Sequence, residues 1–395
     1  MTELPRSAEL VIVGAGVIGC SLAYHLVRRG LRPLVLEREH LAAGSSGACD
    51  GFVFLQSKKP GIHLELARRS RARFSDLAAE LEFDIEFRGG GGLIVAQDQE
   101  ELAAVRRLVE GLSGGGLPLE LVERRRLLEM QPVLSPQVAG ASFCPEEGQV
   151  NPMRLTLGFA RAARRQGARF ALGVEVTGFD LRGGRLLGLH TSQGYVSAPR
   201  AVLAAGAWTG LVGRLAGLEI PIRPRRGQLL VTEALDPSFL RYGMLSAGYL
   251  AAKHGKAKAG PGGQGVALEQ TDAGNLLIGS TRELVGFDRR TTPQALLNLA
   301  AGAVRLVPAL GRVRVIRSFA GLRPYTPDGL PLLGPVPGLE GLVLAAGHEG
   351  DGIALSPVTG ELMAAWLAGE ADGRQRSLLA HFRLERFAES GEGGP

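Results

Sequence analysis

Cysteine is scarce in this chain: three residues among 395, at positions 20, 49 and 144. They are odd in number, far apart and free of any CxxC spacing, which excludes a disulfide framework and a cysteine zinc site. No metal site is expected, and free thiols in a reducing compartment follow. Aromatic residues make up only 5% of the chain. The formal charge of +6 therefore comes from scattered arginines without the interleaved stacking residues of a nucleic-acid surface. Nucleic acid is not an expected partner, whereas an acidic small molecule suits the charge. Also missing are a basic leader with a cleavage site and any apolar run long enough to span a bilayer, so no integral membrane segment is expected and a cytoplasmic location follows by default. With 45% apolar residues, the length allows about two or three domain-sized units with sizeable cores.

What is present begins at residues 9–19, ELVIVGAGVIG. The apolar residues 10–13 read as a buried parallel strand, Gly14-x-Gly16-x-x-Gly19 as a turn into a helix, and residues 34–36 as the neighbouring strand, closed by Glu37. The three glycines serve different mechanical ends. Gly14 allows the tight turn, Gly16 lets backbone approach a pyrophosphate, and Gly19 lets the helix pack close to the strand. A diphosphate is expected on the free N–H groups and positive dipole end of the helix beginning near Val17 and Ile18. Glu37 stands where a carboxylate accepts hydrogen bonds from ribose hydroxyls and repels a 2′-phosphate, which disfavours NADP. The fingerprint alone does not separate NAD from FAD.

Further along, residues 44–51 form a small-residue run, GSSGACDG, suited to backbone lying against a flat ring or a phosphate, or to a surface loop. A helix is expected from Pro60, a strand over 92–96, and helices over 99–111 and 123–130. Asn151-Pro152 caps and opens a helix through Gln166. Strands are expected over 168–179, 185–191, 195–198 and 201–205, the last ending at Gly206-Ala207-Trp208. Residues 223–233 and 249–279 read as strand-rich. The glycine- and lysine-rich stretch 254–265 reads as a mobile hairpin tip, with Lys253, Lys256 and Lys258 open to a phosphate or partner role. Near the end, GLRPYTPDGLPLLGP places Arg323 between a strand and a proline-rigid turn. A strand, a glycine loop around Gly350 and Gly352, and a helix starting at Ser356-Pro357 then follow.

Four of these pieces, VIVGAGVIG with Glu37, GSSGACDG, VLAAGAWT, and GLRPYTPDGLPLLGP followed by GHEGDGIALSPVTG, resemble in order and character the D-amino acid oxidase superfamily of FAD-dependent oxidoreductases. The resemblance is to its glycine oxidase, sarcosine oxidase and D-amino acid dehydrogenase branch, with a softer likeness to the flavoprotein beta subunits of opine oxidases, hydrogen cyanide synthase and proline or hydroxyproline dehydrogenases. It implies an α/β chain with a discontinuous Rossmann-like FAD-binding domain (1–82, 147–219, 317–390). A substrate domain of α+β type is inserted on an antiparallel sheet (83–146, 220–316), and 391–395 form a disordered tail.

The resemblance also assigns residues. Gly14, Gly16, Gly19 and Glu37, with Val17, Ile18 and Arg38 beside them, would hold the ADP half of FAD. Ser45, Ser46 and Gly51 would line the flavin approach, and the backbone of Val176 would pair with adenine. Gly206 and Trp208 would flank the cofactor, with Gly350, Gly352 and Ile353 near the pyrimidine edge of the ring. There the free N–H groups of a helix start would stabilise negative charge on reduced flavin. Arg323 matches the arginine that grips a substrate carboxylate, a role suited to its planar fork; its alternative is a salt bridge to an internal acid. Tyr249 matches a tyrosine on the substrate-domain sheet facing the flavin, or is a core residue, and His348 is a pocket residue that offers itself as a base, or is a satisfied structural histidine; with Arg323 these are the expected catalytic residues. Where one branch bonds FAD through a cysteine this chain has Gly321, so the FAD is expected to be non-covalent. The activity implied is hydride transfer from a small amino or imino acid to flavin, giving an imine that hydrolyses. Two alternatives stand beside it: an electron-passing flavoprotein subunit of a hetero-oligomer, and a 2-hydroxy acid dehydrogenase. Homo- and hetero-oligomers are both open.

Overall fold

A computed structural model of the protein describes residues 4–114, 116–255 and 265–387. The expectations for Lys256, Lys258 and the C-terminal tail fall outside those residues.

The strand Val11–Val13 lies at the centre of the first sheet. It pairs in parallel with Leu34–Glu37 on one side and Ala201–Leu203 on the other. Leu339–Ala346 and Arg169–Leu172 extend the parallel run outward. Side chains alternate across the sheet: Leu10 and Ile12 join the core beneath the helices, while Val11 and Val13 join a second core with Val174, Leu189 and Leu344. Burial on both faces is why the segment reads as a continuous apolar run rather than an alternating one. The helices Val17–Val27, Ile62–Leu81, Pro152–Arg165 and Gly352–Leu367 cover one face. These five of the sheet's nine strands are mutually parallel, so their carboxyl ends open on one side, where open α/β sheets bind ligands. The stretch 168–179 is two strands, Arg169–Leu172 and Val176–Arg182, rather than one. Gly173, at φ +73, breaks it with a backbone conformation that a strand cannot continue through.

The second sheet runs in the order Val315–Tyr325, Arg223–Ala234, Asn275–Gly279, Ala267–Gln270, Gly243–Ser246, Gly92–Ala96, Gly140–Cys144, Glu120–Glu123. It is antiparallel except where Gly243–Ser246 pairs in parallel with Gly92–Ala96. That one pair joins the segments expected to lie on either side of 147–219. The strand Val315–Tyr325 pairs with Arg223–Ala234 along its length, so the expected boundary at 317 falls inside it and Arg323 is carried on the second sheet.

The helix Pro152–Arg165 is capped as its sequence predicts, the Asn151 side chain accepting from the amides of Met153 and Arg154. Asn151→Ala is expected to cost about 1 kcal/mol, the usual value of such a cap. A lowered midpoint in thermal or denaturant unfolding is the measurement.

Candidate active site

One cavity runs along the carboxyl ends of the parallel strands and on to the second sheet, from Glu37, Arg38 and Val176 at one end to Tyr249, Arg282 and Arg323 at the other. At the first end Gly14, at φ +110, lies so close to the strand Ala201–Leu203 and the residues after it that a Cβ would stand 2.5 Å from the Ala204 carbonyl. At Gly19 a Cβ would stand 2.0 Å from the Gly14 carbonyl, so the helix Val17–Val27 packs against its own turn. Gly16, Val17 and Ile18 bring the helix start into the cavity wall. Ser46 locks this start to the small-residue run, its hydroxyl accepting from the Val17 amide at 3.0 Å. Glu37 accepts from the Ala15 amide at 2.9 Å through Oε2 and from the Glu39 amide at 3.0 Å through Oε1. Arg38 lies over the Trp208 ring at 4.5 Å.

In the middle, Gly44, Ser45, Ser46 and Cys49 line the cavity together with Gly206 and Trp208, and a Cβ at Gly44 would stand 3.2 Å from the Trp208 ring. Gly51 is a correction: it is not on the cavity wall. Its Cα faces the Val150 carbonyl, where a Cβ would stand 1.8 Å away, and its amide donates to Glu269 Oε2 at 2.7 Å. It is glycine because two segments of chain meet there.

At the far end the helix start is corrected too. The helix is Gly352–Leu367, four residues earlier than Ser356 predicts, with Pro357 inside it. Proline cannot donate to the carbonyl one turn back. The Ser356 hydroxyl donates to that Ile353 carbonyl instead, at 3.0 Å, which lets the helix begin early. Its first turn, at Gly352 and Ile353, therefore lies on the cavity, with Gly350 beside it.

Tyr249 lies not in a strand but in the short helix Ala247–Lys253, because Ser246 caps that helix by accepting from the Tyr249 amide. The phenol still lines the cavity, 3.2 Å from the Ser280 hydroxyl, with Arg282 over its ring at 4.8 Å. His348 lines the cavity with Nε2 3.1 Å from the Thr359 hydroxyl. Burial pushes its pKa down to about 3, so the imidazole stays neutral and is a poor proton acceptor.

Arg323 lies flat across Gly227, whose Cβ, if present, would stand 2.4 Å from Nη1. Nη1 donates to the Thr281 carbonyl at 2.9 Å and Nη2 to the Ser280 hydroxyl. Among the described residues no carboxylate is paired with it, so the internal salt bridge is not what holds it.

Of the charges around this end the sequence singles out Arg323 and Lys253 but not their surroundings, and Lys253, expected to be open to a phosphate or partner, is instead paired with an internal acid. Asp351 is buried and receives Lys58 at 2.7 Å and Lys253 at 2.8 Å, with His63 at 3.4 Å. Burial alone would raise its carboxyl, but the two ammonium groups hold it well below the usual range. Glu349 likewise receives Arg225 and, at 3.3 Å, Arg282; against the effect of burial, these guanidiniums hold it down at about 2. No local signal announces such pairs, since Lys58 and Asp351 are far apart in the chain. Gly227, which makes room for Arg323, was equally silent.

A parallel sheet covered on both faces, with a glycine turn and an acid closing the next strand on one cavity and a second helix start at its far end, is the frame of a dinucleotide-binding protein. The chain belongs to the DAO family of FAD-dependent oxidoreductases, whose pattern it matches over residues 9–366. It is 33% identical over 367 residues to a glycine oxidase of Geobacillus kaustophilus, covering 90% of this chain and 92% of that one. The solved structure of a glycine oxidase from that organism superposes with a TM-score of 0.87, at 31% identity, covering 97% of this chain and 99% of the other. Hydrogen cyanide synthase subunit HcnC of Pseudomonas aeruginosa is 33% identical, with 91% of this chain and 92% of that protein covered. An L-proline dehydrogenase from P. horikoshii also superposes with a TM-score of 0.87, at 26% identity over 98% and 99% of the two chains. FAD is the cofactor, and the Gly14 cradle and the two helix starts suit its diphosphate and ring. Among the described residues no helix is long and apolar enough to cross a membrane.

Proposed function

We propose that the protein oxidises a small amino or imino acid at the carbon bearing nitrogen, giving an imine that water hydrolyses to an oxo acid and an amine. FAD, when bound, supplies the two-electron acceptor that takes the substrate hydride at N5. Gly14, Gly16, Val17, Ile18 and Gly19 would hold its diphosphate, Glu37 its ribose, the Val176 backbone its adenine, and Gly350, Gly352 and Ile353 its ring. Gly321 supports a non-covalent cofactor, since a side chain there would stand 2.0 Å from the Ala48 carbonyl. The observation that carries the reading is Arg323: a guanidinium on the cavity with no carboxylate partner among the described residues. It has donors left over for a substrate carboxylate, which it would hold in two parallel hydrogen bonds and so fix the substrate in one orientation. Tyr249 and Arg282 close the same end.

Turnover with glycine, sarcosine, proline and D-amino acids, using a dye as electron acceptor, is the test; oxo acid and amine are expected in equal amounts from the acyclic substrates, and a cyclic imine with its ring-opened hydrate from proline. Turnover of 2-hydroxy acids alone, with no amine released, would replace this reading with a hydroxy acid dehydrogenase.

A second reading is favoured by the 33% identity to HcnC, by its name a subunit, and by exposed apolar side chains at Leu284, Leu297 and Ile316. In it the chain passes electrons to a partner. Full turnover with a quinone or oxygen by the purified chain alone would argue against a required partner.

A further inference from the structure

We propose that Asp50 is the group that receives the substrate nitrogen, hydrogen-bonding the ammonium of a zwitterionic amine and taking its proton before the C–H bond breaks. The proposal rests on the reading of the protein as an amine-oxidising enzyme and adds a residue and a step to it.

Charged side chains gather at the far end of the cavity: Asp50, Lys58, Lys253, Arg282, Arg323, Glu349 and Asp351. Lys58 and Lys253 are consumed by Asp351, and Arg282 by Glu349. Two groups of opposite sign remain without an ion-pair partner among the described residues, Arg323 and Asp50. An amino acid carries the two complementary charges. If Arg323 takes the carboxylate, the carboxylate of Asp50 is the complement left for the ammonium.

Asp50 is also held in place rather than swinging on a loop. On one side of it, Ala48 is pressed against the strand that carries Arg323, where a Cβ at Gly321 would stand 2.0 Å from the Ala48 carbonyl. On the other, the Gly51 amide donates to Glu269 on the strand Ala267–Gln270 at 2.7 Å, with Val150 packed against its Cα. The contacts on either side are fixed to the same sheet that carries Arg323, so the Asp50–Arg323 spacing is set by that sheet. Burial raises the Asp50 carboxyl, partly offset by Arg323 and Arg282. The titratable and charged groups that interact with it are Cys49 and Glu269, which both feel its charge, and Arg323, Arg282 and Lys253. A carboxyl so placed holds a proton more readily than an exposed one.

In the proposed step, one N–H proton of the ammonium passes to an Asp50 carboxylate oxygen, and the N–H electron pair stays on nitrogen. The C–H pair then leaves with its hydrogen as hydride to the bound cofactor while the nitrogen lone pair forms C=N. The substrate loses two electrons, the cofactor gains them, and water completes the hydrolysis.

The test compares the FAD-loaded wild type with Asp50→Asn, a near-isosteric change. Acetate, which carries a carboxylate and no nitrogen, is titrated against the flavin absorbance; reduction by glycine, sarcosine and proline is followed without oxygen across pH. Asp50→Asn is expected to bind acetate as well as or more tightly than wild type, since a like charge is gone. It is expected to be reduced about 100-fold more slowly at neutral pH, the common contribution of a positioned base. The deficit is expected to shrink as the pH approaches the substrate ammonium's own pKa. Equal reduction rates with an unchanged pH profile would overturn the proposal, as would loss of acetate binding together with reduction. A wild type that binds acetate yet is reduced by no amine would show instead that the amine reading itself is wrong, and the Asp50 role falls with it.

Discussion

Replacing Arg323 with leucine is expected to weaken substrate and acetate binding by about 10²- to 10³-fold while FAD stays bound. That range corresponds to losing one partner of a buried, hydrogen-bonded charge pair. The cofactor is spared because the residues expected to hold its diphosphate lie at the other end of the cavity and on a different sheet. Arg323→Lys is expected to recover only part of the loss, because an ammonium restores charge but not the planar two-donor fork. Gly227 supplies an independent handle. The guanidinium lies within 2.4 Å of where a Cβ would stand, so Gly227→Ala must displace Arg323 without removing it. It should reproduce the weakening in milder form. Acetate titrations of the three variants, followed by flavin absorbance, measure all of this; unchanged acetate affinity in Arg323→Leu would remove the arginine from the site.

The second large effect is at the opposite end. Gly19→Ala is expected to yield a protein that purifies with little or no FAD. The new methyl would stand 2.0 Å from the Gly14 carbonyl and 3.3 Å from Ile12 Cγ2, so the helix Val17–Val27 must move away from its strand. It has nowhere to go. The Ser21 hydroxyl donates to the Ser356 carbonyl at 2.8 Å, and Gly360 sits so close that a Cβ on it would meet Ser21 Oγ at 2.2 Å. The helix is held on both sides, and the shift falls on its first turn, where the diphosphate would sit. Gly111→Ala, in the helix Gln99–Ser113 with open space around it, is the matched control and should keep its FAD. Protein-to-flavin absorbance ratios decide the point; full FAD occupancy in Gly19→Ala would contradict the role given to this packing.

These two sites differ in how legible they were. The dinucleotide end is written locally: strand, glycine turn, helix, second strand and acid follow one another within about thirty residues, each obeying a short-range rule. The Asn151-Pro152 cap is equally local. The substrate end is assembled from segments far apart, and there local rules misled or were silent. The stretch from Tyr249 onward reads as strand-rich, yet one Ser246 hydroxyl at the right offset makes Ala247–Lys253 a helix. Ser356-Pro357 has the signature of a helix start, but a serine hydroxyl substituting for the missing proline donor moves the start to Gly352. Gly51 belongs by composition to the run that lines the cavity, and only the approach of Val150 shows its different role. The pairing of Asp351 with Lys58 and Lys253, which leaves Asp50 and Arg323 as the unpaired charges, depends on the packed structure and on nothing periodic in the chain.

The central proposal is that electrons pass from an amino or imino acid to FAD in this cavity. Its most direct measurement is the flavin spectrum after mixing the FAD-loaded protein, without oxygen, with glycine, sarcosine, L-proline, D-proline and a set of D-amino acids. Bleaching of the oxidised flavin band by at least one of them, abolished or strongly slowed in Arg323→Leu, is the predicted result. A flavin that stays oxidised with every amine, or that bleaches equally well without Arg323, would contradict it.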